Sequence, residues 1–99
     1  MASSVDLIQI KNIRKMNEFI QNYAPLLNAI PTLNVELTSA TLCERQYEIP
    51  SIQGTVNGRP VSICAAAIGF IYKTDGVAHR LSEDELALSL KLTVKSMME

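Results

Sequence analysis

Asn57-Gly58 stands between two runs that read as strands, "RQYEIPSIQGTV" and "PVSICAAAIGFIYK". Both residues tolerate the positive φ of a type I′ turn, so the dipeptide predicts a β-hairpin with a two-residue loop. Such a loop also sets the register. Val56 faces Arg59, Gly54 faces Val61 and Ile52 faces Ile63 as hydrogen-bonded pairs. Thr55 and Pro60 form a non-hydrogen-bonded pair, in which the missing N–H of Pro60 points away from the partner strand. Pro50 falls opposite Ala65 where a donor is required, so the ladder is expected to bulge or end near Pro50.

Upstream, the apolar period is helical. Ile13, Met16, Ile20, Tyr23, Leu27 and Ile30 recur at steps of three and four and share one helix face. Pro25 interrupts this segment by removing a helical hydrogen bond and disfavouring helix at Ala24. A kink is expected there, or an end near Tyr23 with a fresh turn from Pro25, and Pro31 closes the segment. Before it, a short strand is one reading of "VDLIQI", where Val5, Leu7 and Ile8 are too irregular to decide, and residues 1–4 read as a loose end. At Leu33 the period changes to two. Leu33, Val35 and Leu37 alternate with Asn34, Glu36 and Thr38, the pattern of a half-buried strand.

"PVSICAAAIGFIYK" reads as one strand that is apolar on both sides beyond Ala65. Ala65, Ala67 and Ile71 lie on one side, and Ala66, Ile68 and Phe70 on the other. A strand buried on both faces is central, and its alanines leave room for a close neighbour. "TDGV" at 74–77 is a turn. The last segment supports two readings. Ser82 as N-cap, Glu85 completing a capping box and a Leu81–Leu86 staple favour a helix. The alternation of Leu86, Leu88, Leu90, Leu92 and Val94 favours a strand. Drawn as a helix, Leu86, Leu90, Val94 and Met97 share one face and Leu88 and Leu92 lie on the other side.

Chemistry-bearing patterns are sparse. His79, the only histidine, falls in a loop beside Arg80 and the acidic run Glu83, Asp84, Glu85, which itself reads as a helix N-terminus. Cys43 and Cys64 sit in apolar, strand-like sequence and read as free small hydrophobes, with a mutual disulfide as the other reading. Neither cysteine nor histidine spacing suggests a metal site, and no glycine grouping cradles a phosphate. No metal or cofactor is therefore expected. Lys11, Arg14 and Lys15 share a helix face, and with Arg59 they form a candidate nucleic-acid surface. Against that, the net charge is only −1, which provides little long-range steering.

If the last segment is helical, the order helix, three strands, helix is similar to that of a double-stranded-RNA-binding domain, and "TVNGRPV" resembles the second hairpin of that family. The family places lysines at the start of its last helix to grip phosphates. This chain has Glu83, Asp84 and Glu85 there, so membership is not claimed.

The sequence predicts a single α+β domain over residues 1–99: an N-terminal helix packed on an antiparallel sheet of three to five strands, with the C-terminal segment helix or strand. No apolar run is long enough to span a membrane and no secretory leader is evident, so an intracellular setting is expected. The functional expectation is a non-enzymatic homo-oligomeric binding or assembly protein, first a dimer, of the kind that serves a virus or mobile element as a small accessory protein. Its expected interface comprises Ala66, Ile68, Phe70, Leu88 and Leu92. Nucleic-acid binding through the basic residues is the alternative, and a small enzyme using His79 the second.

Overall fold

The computed structural model describes residues 3–99; Met1 and Ala2, half of the expected loose end, lie outside the described residues. The elements are α1 (Ser4–Asn22), α2 (Ala24–Asn28), β1 (Leu33–Leu42), β2 (Arg45–Val56), β3 (Arg59–Ala65), β4 (Phe70–Thr74), β5 (Val77–Leu81) and α3 (Glu83–Met97). The segment "VDLIQI", undecided from its irregular apolar spacing, is the start of α1. Ser3 caps it by accepting the Asp6 N–H at 3.1 Å, and Asp6 places its charge in the first turn. The expected break at Pro25 is present. Tyr23 leaves helical geometry at φ −114° and ψ 20°, and Pro25 sits in the first turn of α2, where its missing N–H has no intrahelical partner to lose.

The five strands form one antiparallel meander in chain order. The Asn57-Gly58 register holds as expected: Val56 faces Arg59, Thr55 faces Pro60, Gly54 faces Val61 and Ile52 faces Ile63. The β2–β3 ladder stops at Ile52, before Pro50, because a ladder cannot use a residue without an N–H. The β1–β2 ladder runs through Pro50, opposite Leu37, without interruption. Beyond Ile52 the β1–β2 pair continues as a two-stranded ribbon, and the molecule is elongated, 53 × 25 × 21 Å.

The run from 60 to 73 is two strands, not one. It folds back at residues 66–69, where the Ala66 N–H donates to the Gly69 carbonyl at 3.0 Å and Gly69 takes a φ of +70°. A Cβ at Gly69 would press within 2.5 Å of the Leu81 carbonyl oxygen, so glycine is required both by the turn and by the neighbouring strand. The alanines that looked like a contact for a close neighbour are the turn and its approach. His79, expected in a loop, lies in β5, and Cys43, expected in a strand, lies in the β1–β2 turn at φ 52°.

All three helices lie on one face of the sheet. Register places Leu33, Ile52, Ile63 and Tyr72 toward them, and Asn34, Gln53, Ser62 and Lys73 on the other, polar face. Met16, Phe19, Leu27, Ile30, Leu33, Ile52, Val61, Ile63, Phe70, Leu86 and Leu90 form the core. The Phe19 and Phe70 rings meet at 5.0 Å between centroids, tilted by 50°. α1 lies against β1, β2 and β3, while α3 packs on α2, β4 and β5. The C-terminal segment is the helix of the two readings, with its capping box formed between Ser82 and Glu85. Leu86 and Leu90 face the core, and Leu88 and Leu92 do not.

Candidate functional site

A cleft lies where α1, the β3–β4 turn, the end of β5 and the start of α3 meet. Its volume is 640 Å³ and its apolar walls are Ile68, Phe70 and Leu81. The turn leaves carbonyl oxygens facing α1, and Lys15 satisfies them: its Nζ donates to Ala66 at 2.7 Å and Gly69 at 3.2 Å. The same ammonium stands 5.6 Å from the Phe70 ring centroid, a cation–π distance. Glu83 Oε2 accepts the Tyr23 hydroxyl at 3.3 Å, and Glu85 Oε1 accepts the Ser82 N–H at 3.0 Å. Lys15, Glu83 and Glu85 thus hold the fold together. Arg80 is the one charged group of the cleft without a hydrogen bond or ion pair among the described residues.

Two of these contacts move proton affinities. Hydrogen bonds from Ser82, backbone and then hydroxyl, hold the Glu85 carboxyl below its ordinary 4.5. Partial desolvation, followed by the charge of Glu83, raises the Tyr23 phenol above its ordinary 10.0.

The basic residues expected to act together do not form one surface. Lys11 and Arg14 are exposed on α1, but Lys15 is half-buried and turned to the β3–β4 carbonyls. Arg59 opens β3, whereas Lys15 grips the turn beyond its end, so a strand length separates them. Arg59 Nη1 pairs with Asp75 Oδ2 at 3.4 Å, within a strongly exposed pair.

The apolar candidates also divide. Phe70 is only 2% exposed, beneath α1, and serves the chain's own core; its expected place at an interface is corrected accordingly. Ala66 is half-buried in the β3–β4 turn, and Ile68 projects from it. Leu88 and Leu92 stand on the outer side of α3 at 56% and 57% exposure. The sequence reading missed a further pair. Val35 and Leu37, expected to line the buried face of β1 with Leu33, are 47% and 57% exposed. Alternation identified their shared face but carried no signal of where helix cover ends.

That pair lies on an open strand edge. Cys43 and Glu44 form the β1–β2 turn with φ of 52° and 62°, the geometry of a two-residue hairpin. Leu42 and Arg45 are then a hydrogen-bonded pair, as are 40 with 47, 38 with 49, 36 with 51 and 34 with 53. The intervening residues Val35, Leu37, Ser39 and Thr41 direct their N–H and C=O groups away from β2, to the free edge. Leu33 would do the same, but its N–H returns to the Ile30 carbonyl at 3.1 Å. Residues 34–39 are all exposed, so none of the described residues covers this stretch of the edge. At the other margin, the same count leaves only Ala78 and Arg80 of β5 facing outward.

Both cysteines are free. Cys64 lies on the polar face, where partial desolvation holds its thiol above the ordinary 9.0 and Lys73 pulls the other way, a setting that keeps it a thiol. His79 is exposed, opposite Tyr72. Among the described residues no group of three or more His, Cys, Asp and Glu side chains gathers as a metal site, and no helix is long and apolar enough to cross a membrane. No protein-family model, curated protein or solved structure matches this chain.

Proposed function

We propose that the protein is a non-enzymatic binding and assembly protein that acts as a homo-oligomer. The observation that carries this reading is the placement of its exposed apolar side chains. Val35 and Leu37 on β1 and Leu88 and Leu92 on α3 stand in solvent on ordered elements, each pair on one face of its element. Apolar groups so arranged gain about 25 cal/mol per Å² when a partner covers them. The cleft supports the same reading from the other side. Its lysine and both glutamates are engaged in a turn clamp, an inter-helix contact and a helix cap. A nucleic-acid role gains less support, since Lys15 is withdrawn from the basic face.

Size-exclusion chromatography with light scattering tests the proposal, with absorbance recorded at 260 and 280 nm. The expected result is a dimer or larger species with a protein absorbance ratio. A monomer at every concentration overturns it. A salt-sensitive excess at 260 nm would put nucleic-acid binding through Lys11 and Arg14 in its place.

A further inference from the structure

We propose that the partner is a second copy of this chain, joined edge to edge through β1 so that the two five-stranded sheets become one continuous sheet across a two-fold axis. This inference rests on the homo-oligomer reading and specifies its interface. β1 has the qualities of a pairing strand and few of the usual protections. It is ten residues long, about 34 Å when extended. It contains no proline, no bulge and one charge, Glu36, and its outward N–H and C=O groups have no cover.

Self-complementarity selects a second copy over another partner. A hollow of 170 Å³ opens between α2 and β1, with Leu27, Leu33, Val35 and Ile52 among its walls. With Val35 of one copy opposite Val35 of the other, Leu37 falls opposite the second copy's Leu33, at this hollow. Each copy therefore offers both the projecting side chain and the space for it, as a two-fold contact requires. In the same register Glu36 faces Asn34, so no like charges stand directly opposed. Closure favours the same solution. Pairing β1 with β5 would be head-to-tail and would grow a filament, and β5 offers only Ala78 and Arg80 as outward positions. Pairing β1 with itself in this register joins residues 33–37 of both copies, with the Val35 and Leu37 N–H groups donating across the seam, and stops.

The test combines variants with hydrogen exchange on the full chain. Leu37→Lys removes the projecting side chain and places a charge on the edge; because Leu37 is already exposed, the fold is expected to persist, checked by circular dichroism. Its dimer dissociation constant is expected to rise about a hundredfold or more. The double variant Leu88→Glu with Leu92→Glu is expected to dimerise as the unaltered protein does. In the unaltered protein, the Val35 and Leu37 amides should become protected as concentration rises, while Ala78 and Arg80 stay fast. A dimer that survives Leu37→Lys, or in which those two amides remain fast, overturns β1 pairing and leaves the homo-oligomer reading standing. A protein that is monomeric throughout overturns both.

Discussion

The two margins of the sheet, β1 and β5, are built differently. β5 has five residues, two outward positions and α3 following directly from its end, so the next element packs back over its own hairpin. β1 has ten residues and four open outward positions; it is buried only at its two ends, Leu33 and Leu42, and exposed from 34 to 39. The β1–β2 ribbon has a second free margin beyond Ile52, on β2, and that one is blunted by Pro50 and Glu48, a missing donor and a charge. Protection is present at the short margin and on β2, and along β1 it amounts to the single charge of Glu36. A strand edge without protection is either a hazard or an interface, and the hollow beside Val35 is what makes the second reading the better one.

That contrast can be attacked at its foundations. Phe70 anchors β4, and through it β5, beneath α1. Phe70→Ala is expected to cost about 3–5 kcal/mol in urea unfolding, as large buried aromatic truncations do. On the β1 side the matching site is Gly54, where a Cβ would fall on the Thr32 carbonyl oxygen. Gly54→Ala is expected to cost about 2 kcal/mol or more and to loosen the start of β1, seen as faster exchange at Asn34 with the inward-bonded His79 amide unchanged. If it loosens both margins equally, the two halves are one cooperative unit and the contrast is of edges only.

Lys15→Met tests the clamp on the β3–β4 turn. Two charge-assisted hydrogen bonds are lost while the aliphatic stem remains, and a loss of about 1–3 kcal/mol is expected. Ser82→Ala removes the cap of α3 for about 1 kcal/mol. The capping box also carries a pH signature. Glu85 has a depressed pKa in the folded protein, so its contribution is present above the ordinary carboxylate range and is lost as pH falls through the depressed value. Glu85→Gln is expected to lower Tm slightly at neutral pH and to converge with the unaltered protein in acid, so that the acid limb of a plot of Tm against pH becomes flatter. The smallest effect belongs to β1 itself. In the monomer Leu37→Lys should change stability by no more than about 0.5 kcal/mol, because the side chain touches little within its own chain.

Much of the fold is legible residue by residue. Asn57-Gly58 yields a hairpin register that the structure reproduces pair for pair, and Pro25, Pro50, Asp75-Gly76 and Ser82 mark boundaries that the structure observes. Each acts through φ, a missing N–H or a side-chain cap, within four residues of itself. The Cys43-Glu44 turn uses the same positive φ with residues that advertise it poorly, and the sequence shows no sign of it. The helical start at Ser3 was obscured because Val5, Leu7 and Ile8 fit neither period well. The turn at 66–69 was obscured because an alanine run fits a buried strand as well as a turn whose carbonyls are satisfied from elsewhere, here by Lys15, more than fifty residues away.

The candidate surfaces follow the same division. Leu88 and Leu92 could be placed on the outer side of a helix from spacing alone. Phe70, Val35 and Leu37 could not be sorted into core and surface, because alternation says which residues share a face and not how far a covering helix reaches. The sequence by itself determined the local devices: the hairpin register, the helix breaks, the caps and the apolar periods. Only the tertiary structure decided that Phe70 belongs to the core, that Lys15 belongs to a turn and that β1 is left with an open edge. Those outcomes depend on contacts between residues far apart in the chain, where desolvation and packing overrule what each segment prefers alone.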